Sequence, residues 1–440
     1  MSEERPIFAV AGNPVLHSLS PVMFNNVFSS EGLDAVYVRI LAKDAKEVAE
    51  IIRQIHIKGV NVTSPFKEEI LKHIHIIHDE AKDIGAVNTL INTGNTLHGY
   101  NTDVYGIEGV FVRNSIDVFR KKAVIIGAGG AARAACFILK RKGADVTIIN
   151  RTHKKAVDIA EDMGINAISL EDVNGCMLHA DIIVQCLPRG INLIKPGFIK
   201  KGAFMLDANY SFDSPIVKGA QQKGYRACDG KDWLLYQAAA SFKIFFGQLP
   251  PLHVMEKALM ENTFDANKRR NISLVGFMGT GKSTIGKHLS ELTGFELLDI
   301  DSEIEKRTHM SIREIFEKHH EGFFRNMEEE GIEEAVNLSK KIISCGGGAV
   351  ISKKNRDALR KNSIVFWLWA SPETVFKRIY NDKTRPLVSG IDNVKFLSKM
   401  IEERMFFYSD VADVVISTDY KDFAEIARMI YGEINKTIEG

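Results

Sequence analysis

Three features of the sequence predict an α/β protein built on parallel sheets. The run AVIIGAGGAAR (Ala123 to Arg133) passes from apolar, β-rich residues into a glycine loop and then a helical pattern. NISLVGFMGTGKST (Asn271 to Thr284) does the same further along the chain. Each reads as the first βα step of a sheet whose next strand runs parallel, because a parallel pair needs a crossover and a helix supplies it. The third feature lies earlier. FAVAGNP, AVYVRILA and GVNVTSP read as strands ending in turn residues, and AKEVAEIIRQI carries apolar residues at helical spacing.

A chain of 440 residues holds about three domains at ~150 residues each. With 57 basic against 56 acidic residues, bulk charge gives no grip on nucleic acid. No apolar run reaches the ~18 residues that span a bilayer. MSEERPIFAV lacks the basic start and apolar core of a secretory signal. Cys136, Cys176, Cys186, Cys228 and Cys345 show no C-x-x-C spacing. Neither a disulfide scaffold nor a zinc site is expected, and a cytoplasmic location is. ENTFDANKRR is polar and aperiodic, so residues 263–270 read as a linker, a simple tether. The expected division is an N-terminal α/β domain over 1–105, completed by helices in 236–262, a second over 106–235, and a third over 271–440. An oligomer is compatible with this reading.

Gly127, Ala128, Gly129, Gly130, Ala131 and Ala132 form a G-x-G-x-x-A loop after a strand. Glycines there let the backbone approach a pyrophosphate at a helix N-terminus, the Rossmann arrangement. The next strand, DVTIINRT, should end in an acidic residue if the cofactor is NAD. It ends instead in Asn150, Arg151 and Thr152, with Lys154 and Lys155 beyond. A guanidinium suits a 2′-phosphate, so the expected cofactor is NADPH/NADP+.

Polar residues gather at predicted strand ends in the first domain, where α/β proteins place ligands. Ser18 and Ser20 follow one strand, Thr63 and Lys67 another, and Asn88 and Asp103 lie beyond. Such a set suits a small polyhydroxylated carboxylate. Lys67 beside Asp103 would form a proton-transfer pair.

Gly276-x-x-x-x-Gly281-Lys282-Ser283 is a complete P-loop with its strand and helix in place. Gly279, Thr280, Gly281 and Thr284 belong to the ATP-binding turn, Lys282 reaches the phosphates and Ser283 holds Mg2+. LLDIDSEIE adds Asp299 and Asp301 at a strand end, suited to metal and acceptor respectively, or to capping a helix.

Six ordered motifs, GNPVLHSLSP, NVTSPFK, GAVNT, NTD, GAGGAAR and NRT, resemble shikimate dehydrogenase over about Pro6 to Lys257. The resemblance implies that Ser18, Ser20, Thr63, Lys67, Asn88, Asp103, Tyr210 and Gln237 surround 3-dehydroshikimate, with Lys67 and Asp103 catalytic. It also puts Asp79 and Gly230 near the nicotinamide and Asn150, Arg151, Thr152 and Lys155 on the cofactor's ribose end. Three segments depart from the family pattern at the cofactor face: Gln185 to Gly190, SFDSP after Tyr210, and Asp232. D-x-D, F-R-x-x-E, G-G-G, R-P-L and R-x-x-x-Y-x-x-x-A-D, following the P-loop, resemble shikimate kinase over Asn271 to Gly440. That resemblance implies shikimate among Asp301, Arg325, Gly347 and Arg404, Mg2+ on Ser283 and Asp299, adenine against Arg378, and Arg385 on a lid. Together they imply a bifunctional shikimate-pathway enzyme acting on small-molecule substrates. The rival readings are a broader quinate/shikimate dehydrogenase and a non-catalytic metabolite sensor.

Other features read as structural. His73, His75 and His78 do not share a helix face. His319, His320 and Glu328 to Glu330 read as a solvated helix surface, FWLWASPE as core, and Cys345 as incidental.

Overall fold

The computed structural model describes residues 5–94, 96–188, 191, 193–194, 196–210, 214–261, 266–379 and 394–438. The chain opens with β1 (Ile7–Gly12), α1 (Ser20–Ser30), β2 (Val36–Leu41) and α2 (Ala45–Gln54). Next come β3 (Gly59–Val62), β4 (Ile76–Ile77), α3 (Asp79–Ile84), β5 (Thr89–Asn92), β6 (Leu97–Tyr100) and α4 (Asp103–Arg113). The middle alternates β7 (Lys122–Ile126), α5 (Gly130–Arg141), β8 (Asp145–Ile149), α6 (His153–Met163), β9 (Asn166–Ile168), α7 (Val173–Met177) and β10 (Ile182–Gln185). It continues through β11 (Phe204–Asp207), α8 (Pro215–Gln222), β12 (Arg226–Cys228), α9 (Lys231–Phe246) and α10 (Leu252–Glu261). The last part holds β13 (Asn271–Val275), α11 (Lys282–Thr293), β14 (Glu296–Asp299), α12 (Ile300–Thr308), α13 (Ile312–Asn337) and β15 (Lys341–Ser344). α14 (Lys353–Asn362), β16 (Ser363–Trp369), α15 (Pro372–Ile379), α16 (Val394–Val411), β17 (Val414–Ser417) and α17 (Phe423–Ile438) complete it.

The chain packs as two compact units, one of residues 22–31 and 58–261 and the other of residues 1–21, 32–57 and 262–440. In the first, a parallel sheet runs β12-β11-β10-β7-β8-β9, the Rossmann winding. Its core joins Ile125, Ile148 and Val184 of the strands to Ile138 and Leu139 of α5 and Trp233 of α9. Ala132, Ala134 and Ala135 are small enough for α5 to lie close on the sheet. A smaller mixed sheet, β3-β5-β6-β4, carries the turn that bears Lys67.

In the second unit the parallel order is β14-β15-β13-β16-β17-β2-β1. The division by packing therefore differs from the division expected from motifs. β1 and β2 join the sheet of the P-loop half, and α2 lies in the same unit. Every residue of β2 and of β17 is buried. Strands covered on both faces read as continuous apolar runs, and each needs a hydrogen-bonding neighbour on both edges. β2 and β17 supply each other's, pairing Val414 with Arg39, Val415 with Ile40 and Ile416 with Leu41. Polar side chains across this junction are also partnered. Trp369 Nε1 donates to Gln54 Oε1 at 2.8 Å. Lys421 pairs with Glu47, both buried, and Lys421 Nζ also donates to Ser417 O at 3.0 Å.

The end of the expected linker is packed as well. Ala266–Lys268 forms a 3-10 turn. Arg269 Nη1 donates to Ser363 O at 3.3 Å, and Arg270 N donates to Asn362 O at 3.1 Å. Of FWLWASPE, FWLW ends the buried strand β16, as expected of core, and the rest leads into α15. Among the described residues no helix is long and apolar enough to cross a membrane.

The Glu47–Lys421 pair makes the junction testable. Lys421→Met leaves a buried carboxylate without its cation, which costs about 3–5 kcal/mol. Urea denaturation should show that loss, and a Glu47→Leu/Lys421→Met double variant should recover most of it.

Candidate active sites

Lys67 sits just after β3, in a turn closed by Phe66 N donating to Thr63 O at 3.0 Å. Phe66 is buried and anchors the turn. Val87 N donates to Lys67 O at 2.8 Å, fixing the backbone. Lys67 Nζ then reaches Asp103 Oδ2 at 2.6 Å. Asp103 opens α4 and is 1% exposed, so its charge is held by its partners rather than by water. The partner the sequence reading missed is Trp233, whose Nε1 donates to Asp103 Oδ1 at 3.1 Å. Its only signal was an aromatic in a helix, which reads as core.

Asn88 is the hub of a buried polar network. Its Oδ1 accepts Thr102 N at 2.7 Å and Thr89 Oγ1 at 3.0 Å, and its Nδ2 donates to Gln237 Oε1 at 3.1 Å. The amide of Gln237 is thereby oriented from α9. Tyr210 is partly buried at the end of the segment after β11. Asn209, beside it, accepts Gly230 N at 2.8 Å through its carbonyl, which places Gly230 at the cap of α9. Asp79 stands exposed in the first turn of α3.

The glycine loop follows β7. Gly127 has φ +121°, and a Cβ there would lie 2.5 Å from Cys186 O, so only glycine fits. Gly129 faces open space within 4 Å of where a side chain would start. That is the room a pyrophosphate needs above a helix N-terminus. Gly130 begins α5, and a methyl on it would come 2.8 Å from Lys67 Cβ. The dinucleotide loop and the lysine are therefore neighbours. Asn150 Nδ2 donates to Thr152 O at 3.1 Å, shaping the turn after β8. Arg151, Thr152 and Lys155 are exposed there, free to meet a 2′-phosphate. The residues fit NADP.

Of the departures, Gln185 is buried at the end of β10, while Arg189, Gly190 and Ser211 to Asp213 lie outside the described residues. Asp232 pairs with Arg113 at 3.3 Å. Burial pushes its carboxyl up, with Arg113 opposing.

Ser18 and Ser20 belong to the other unit. Both are buried, and their Oγ atoms are 3.4 Å apart.

The P-loop also lies in that unit. Lys282 Nζ donates to Gly276 O at 2.8 Å and Phe277 O at 3.0 Å, and Thr280 Oγ1 to Phe277 O at 2.8 Å. Ser283 Oγ donates to Asp299 Oδ2 at 2.5 Å, and Ser344 Oγ to the same oxygen at 3.0 Å. Asp299 Oδ1 accepts Ser302 N at 3.2 Å, so it caps α12 as well. A hydroxyl and a carboxylate side by side suit a hydrated Mg2+. Thr284 is exposed on α11 beside them. Arg378 donates to Gly279 O at 3.1 Å and to Thr418 O at 2.7 Å, and lies 5.0 Å from the Phe423 ring centre. Arg385 lies outside the described residues.

In the same unit, Arg325 Nη1 donates to Glu328 Oε2 at 2.7 Å. A Cβ on Gly348 would come 2.4 Å from Arg325 Nη2, so this turn must be bare for the guanidinium to lie against it. Arg404 Nη1 and Tyr408 OH both donate to Gly347 O, at 3.2 and 2.6 Å. Two carboxylate oxygens, Glu328 Oε1 and Asp301 Oδ1, lie 2.5 and 2.9 Å from where a Cβ on Gly346 would stand.

Glu328 corrects the sequence reading. It is 1% exposed, not part of a solvated face. Burial raises its carboxyl to about 7, against the opposing pull of Arg325. A run of three glutamates reads as surface, and the i, i+3 spacing to Arg325 was the available signal. His319 and His320 are exposed, as expected, although His320 has φ 68° and kinks α13. Cys345 is buried, and burial raises its thiol far above the usual range.

An α/β enzyme with a dinucleotide-binding half and a P-loop phosphotransferase half is what this geometry defines. The family models for the shikimate dehydrogenase substrate-binding domain, shikimate/quinate 5-dehydrogenase and the shikimate 5′-dehydrogenase C-terminal domain match residues 10–90, 112–205 and 234–260. The shikimate kinase model matches residues 278–435. Shikimate dehydrogenase (NADP(+)) of Pyrococcus furiosus is 34% identical over 58% of this chain and 96% of that protein. Its counterpart in Methanothermobacter thermautotrophicus is 38% identical over 58% of this chain and 95% of that protein. A crystal structure of the Aquifex aeolicus enzyme superposes with TM-score 0.55 and 33% identity, covering 59% of this chain and 99% of that one. The Thermus thermophilus enzyme in complex with NADP(H) and shikimate gives TM-score 0.53 and 31% identity, over 58% of this chain and 99% of that one. The chain belongs to the shikimate dehydrogenase family and carries a shikimate kinase domain behind it.

Glu328 predicts a pH dependence. Were an anionic carboxylate to bind Arg325 and Arg404, it would favour protonated Glu328, and binding would take up a proton. Shikimate affinity at the kinase site should therefore weaken as pH rises through about 7. Steady-state KM against pH should show the bend, and Glu328→Gln should flatten it.

Proposed function

We infer that the chain reduces 3-dehydroshikimate to shikimate with NADPH and phosphorylates shikimate at its 3-hydroxyl with MgATP. The observation that carries this is the contact of α5's first residue with Lys67, which sets a proton donor beside a dinucleotide loop, in a chain that also holds a complete P-loop. Bound NADPH supplies the hydride and bound MgATP the phosphoryl group.

The chain's own residues do the rest. Ser18, Ser20, Thr63, Asn88, Tyr210 and Gln237 bind the polyhydroxylated ring by complementary hydrogen bonds. Lys67, aimed by Asp103 at 2.6 Å, gives its proton to the C3 oxygen as that oxygen becomes an alcohol. Arg151 selects the 2′-phosphate. In the second site Arg325 and Arg404 hold the carboxylate of shikimate, because a planar guanidinium matches it in charge and shape. Asp301 orients the 3-hydroxyl and accepts its proton. Lys282 steadies the phosphate oxygens, and Ser283 with Asp299 holds the metal. Arg378 flanks the base, and Arg385 is assigned to the phosphates. The five free cysteines support a reducing, cytoplasmic setting.

With 3-dehydroshikimate, NADPH and MgATP together, mass spectrometry should find shikimate 3-phosphate, formed only when both cofactors are present. Lys67→Ala should cut the reduction by about 10²–10⁴-fold and spare phosphorylation of added shikimate. Lys282→Ala should do the reverse. Loss of both activities in either folded variant would contradict the two-site reading.

A further inference from the structure

The kinase half's last helix, α17, reaches the turn that bears Ser18 and Ser20. At its start Phe423 packs against the P-loop, where a Cβ on Gly281 would meet the ring at 2.6 Å. Near its other end stands Glu433, 2% exposed. Its Oε1 accepts Val15 N at 2.7 Å and Leu16 N at 2.5 Å. Both residues are fully buried, and Ser18 N donates back to Val15 O at 3.0 Å. The same turn is gripped on its carbonyl side. Ser18 O accepts Arg39 Nη2 at 2.7 Å and Nε at 3.2 Å, and Arg39 stands opposite Val414 of β17.

A buried carboxylate is disfavoured unless its hydrogen bonds do something that an apolar side chain cannot. Glu433 Oε2 has no hydrogen-bond partner among the described residues. The side chain is thus committed to two consecutive amides of the Gly12 to Pro21 turn. Two adjacent N–H groups on one oxygen fix the direction of the chain as well as its position.

We propose that Glu433 is a positioning residue for 3-dehydroshikimate reduction. It holds the Val15 and Leu16 amides, and so sets where Ser18 and Ser20 stand. The kinase half thereby completes the substrate-binding turn of the dehydrogenase half. This rests on the assignment of Ser18 and Ser20 to that substrate.

The test is steady-state kinetics of both activities in the full chain. Glu433→Met keeps the length of the side chain and removes the acceptor. It removes two buried hydrogen bonds and should raise the dehydrogenase KM for 3-dehydroshikimate about tenfold or more. Its kcat should stay within about threefold, the split that marks lost binding rather than lost chemistry. The kinase KM for shikimate should not move, and it reports that the fold is intact. Glu433→Gln keeps an acceptor oxygen and should stay near wild type. Should the Met variant fail to fold, Glu433→Gln combined with hydrogen exchange at Val15 and Leu16 replaces it, with retained protection expected. An unmoved KM, a Gln variant as impaired as Met, or parallel loss of both activities overturns the proposal, as does lost protection in the Gln variant. Ser18→Ala separates the two claims. If it leaves KM unmoved while Glu433→Met raises it, the Ser18 assignment falls and the role of Glu433 stands. If Ser18→Ala raises KM and Glu433→Met does not, the proposal falls and the site reading stands. If neither moves KM, both fall.

Discussion

The pairing of β2 with β17 is the contact on which the second unit depends. Without it each strand would be an open edge, with a row of unmet amides and carbonyls beside apolar side chains. Joined, they extend the five strands of the P-loop half by β2 and β1 into one parallel sheet from β14 to β1. The side chains around the junction are those of an interior, not of a surface between tethered domains. Lys421 and Glu47 are buried as a pair, and Trp369 finds its acceptor on Gln54. A linker alone would leave such groups in water.

Both candidate sites lie beyond the carboxyl ends of strands, where α/β proteins place ligands. The P-loop follows β13, Asp299 ends β14, and the glycine turn that meets Arg325 follows β15. In the other unit the Lys67 turn follows β3 and the dinucleotide loop follows β7. The chemistry is then set by burial. Asp103 is held by Lys67 and Trp233, and Glu328 by Arg325. Each carboxylate is taken from water and given a cation, which fixes the geometry of that cation.

Features written into consecutive residues were legible in the sequence. The glycine loop after β7, the P-loop, and the strands opening each half all formed as their local pattern required. The Lys67–Asp103 pair was anticipated, although its members lie far apart in the chain, whereas the network that ties Asn88 to Thr89, Thr102 and Gln237 was not. What was not legible is what the fold alone brings together. Arg39, Glu47, Lys421 and Glu433 look like solvated residues in sequence, yet each is at most 8% exposed. Glu328 was hidden by its neighbours Glu329 and Glu330, since a run of like charges normally faces water. Trp233 was hidden by its helix. The partnership of β2 with β17 has no local signature at all, because both strands are equally apolar and either could have paired elsewhere.

Native-state hydrogen exchange in rising denaturant tests the shared sheet most directly. Amides of 7–12 and 36–41 should open in one cooperative step with those of 363–369 and 414–417, at the same free energy. If 7–12 and 36–41 instead opened with 122–126 of the dinucleotide sheet, while 414–417 opened apart from them, the account of one sheet built from both halves would be contradicted.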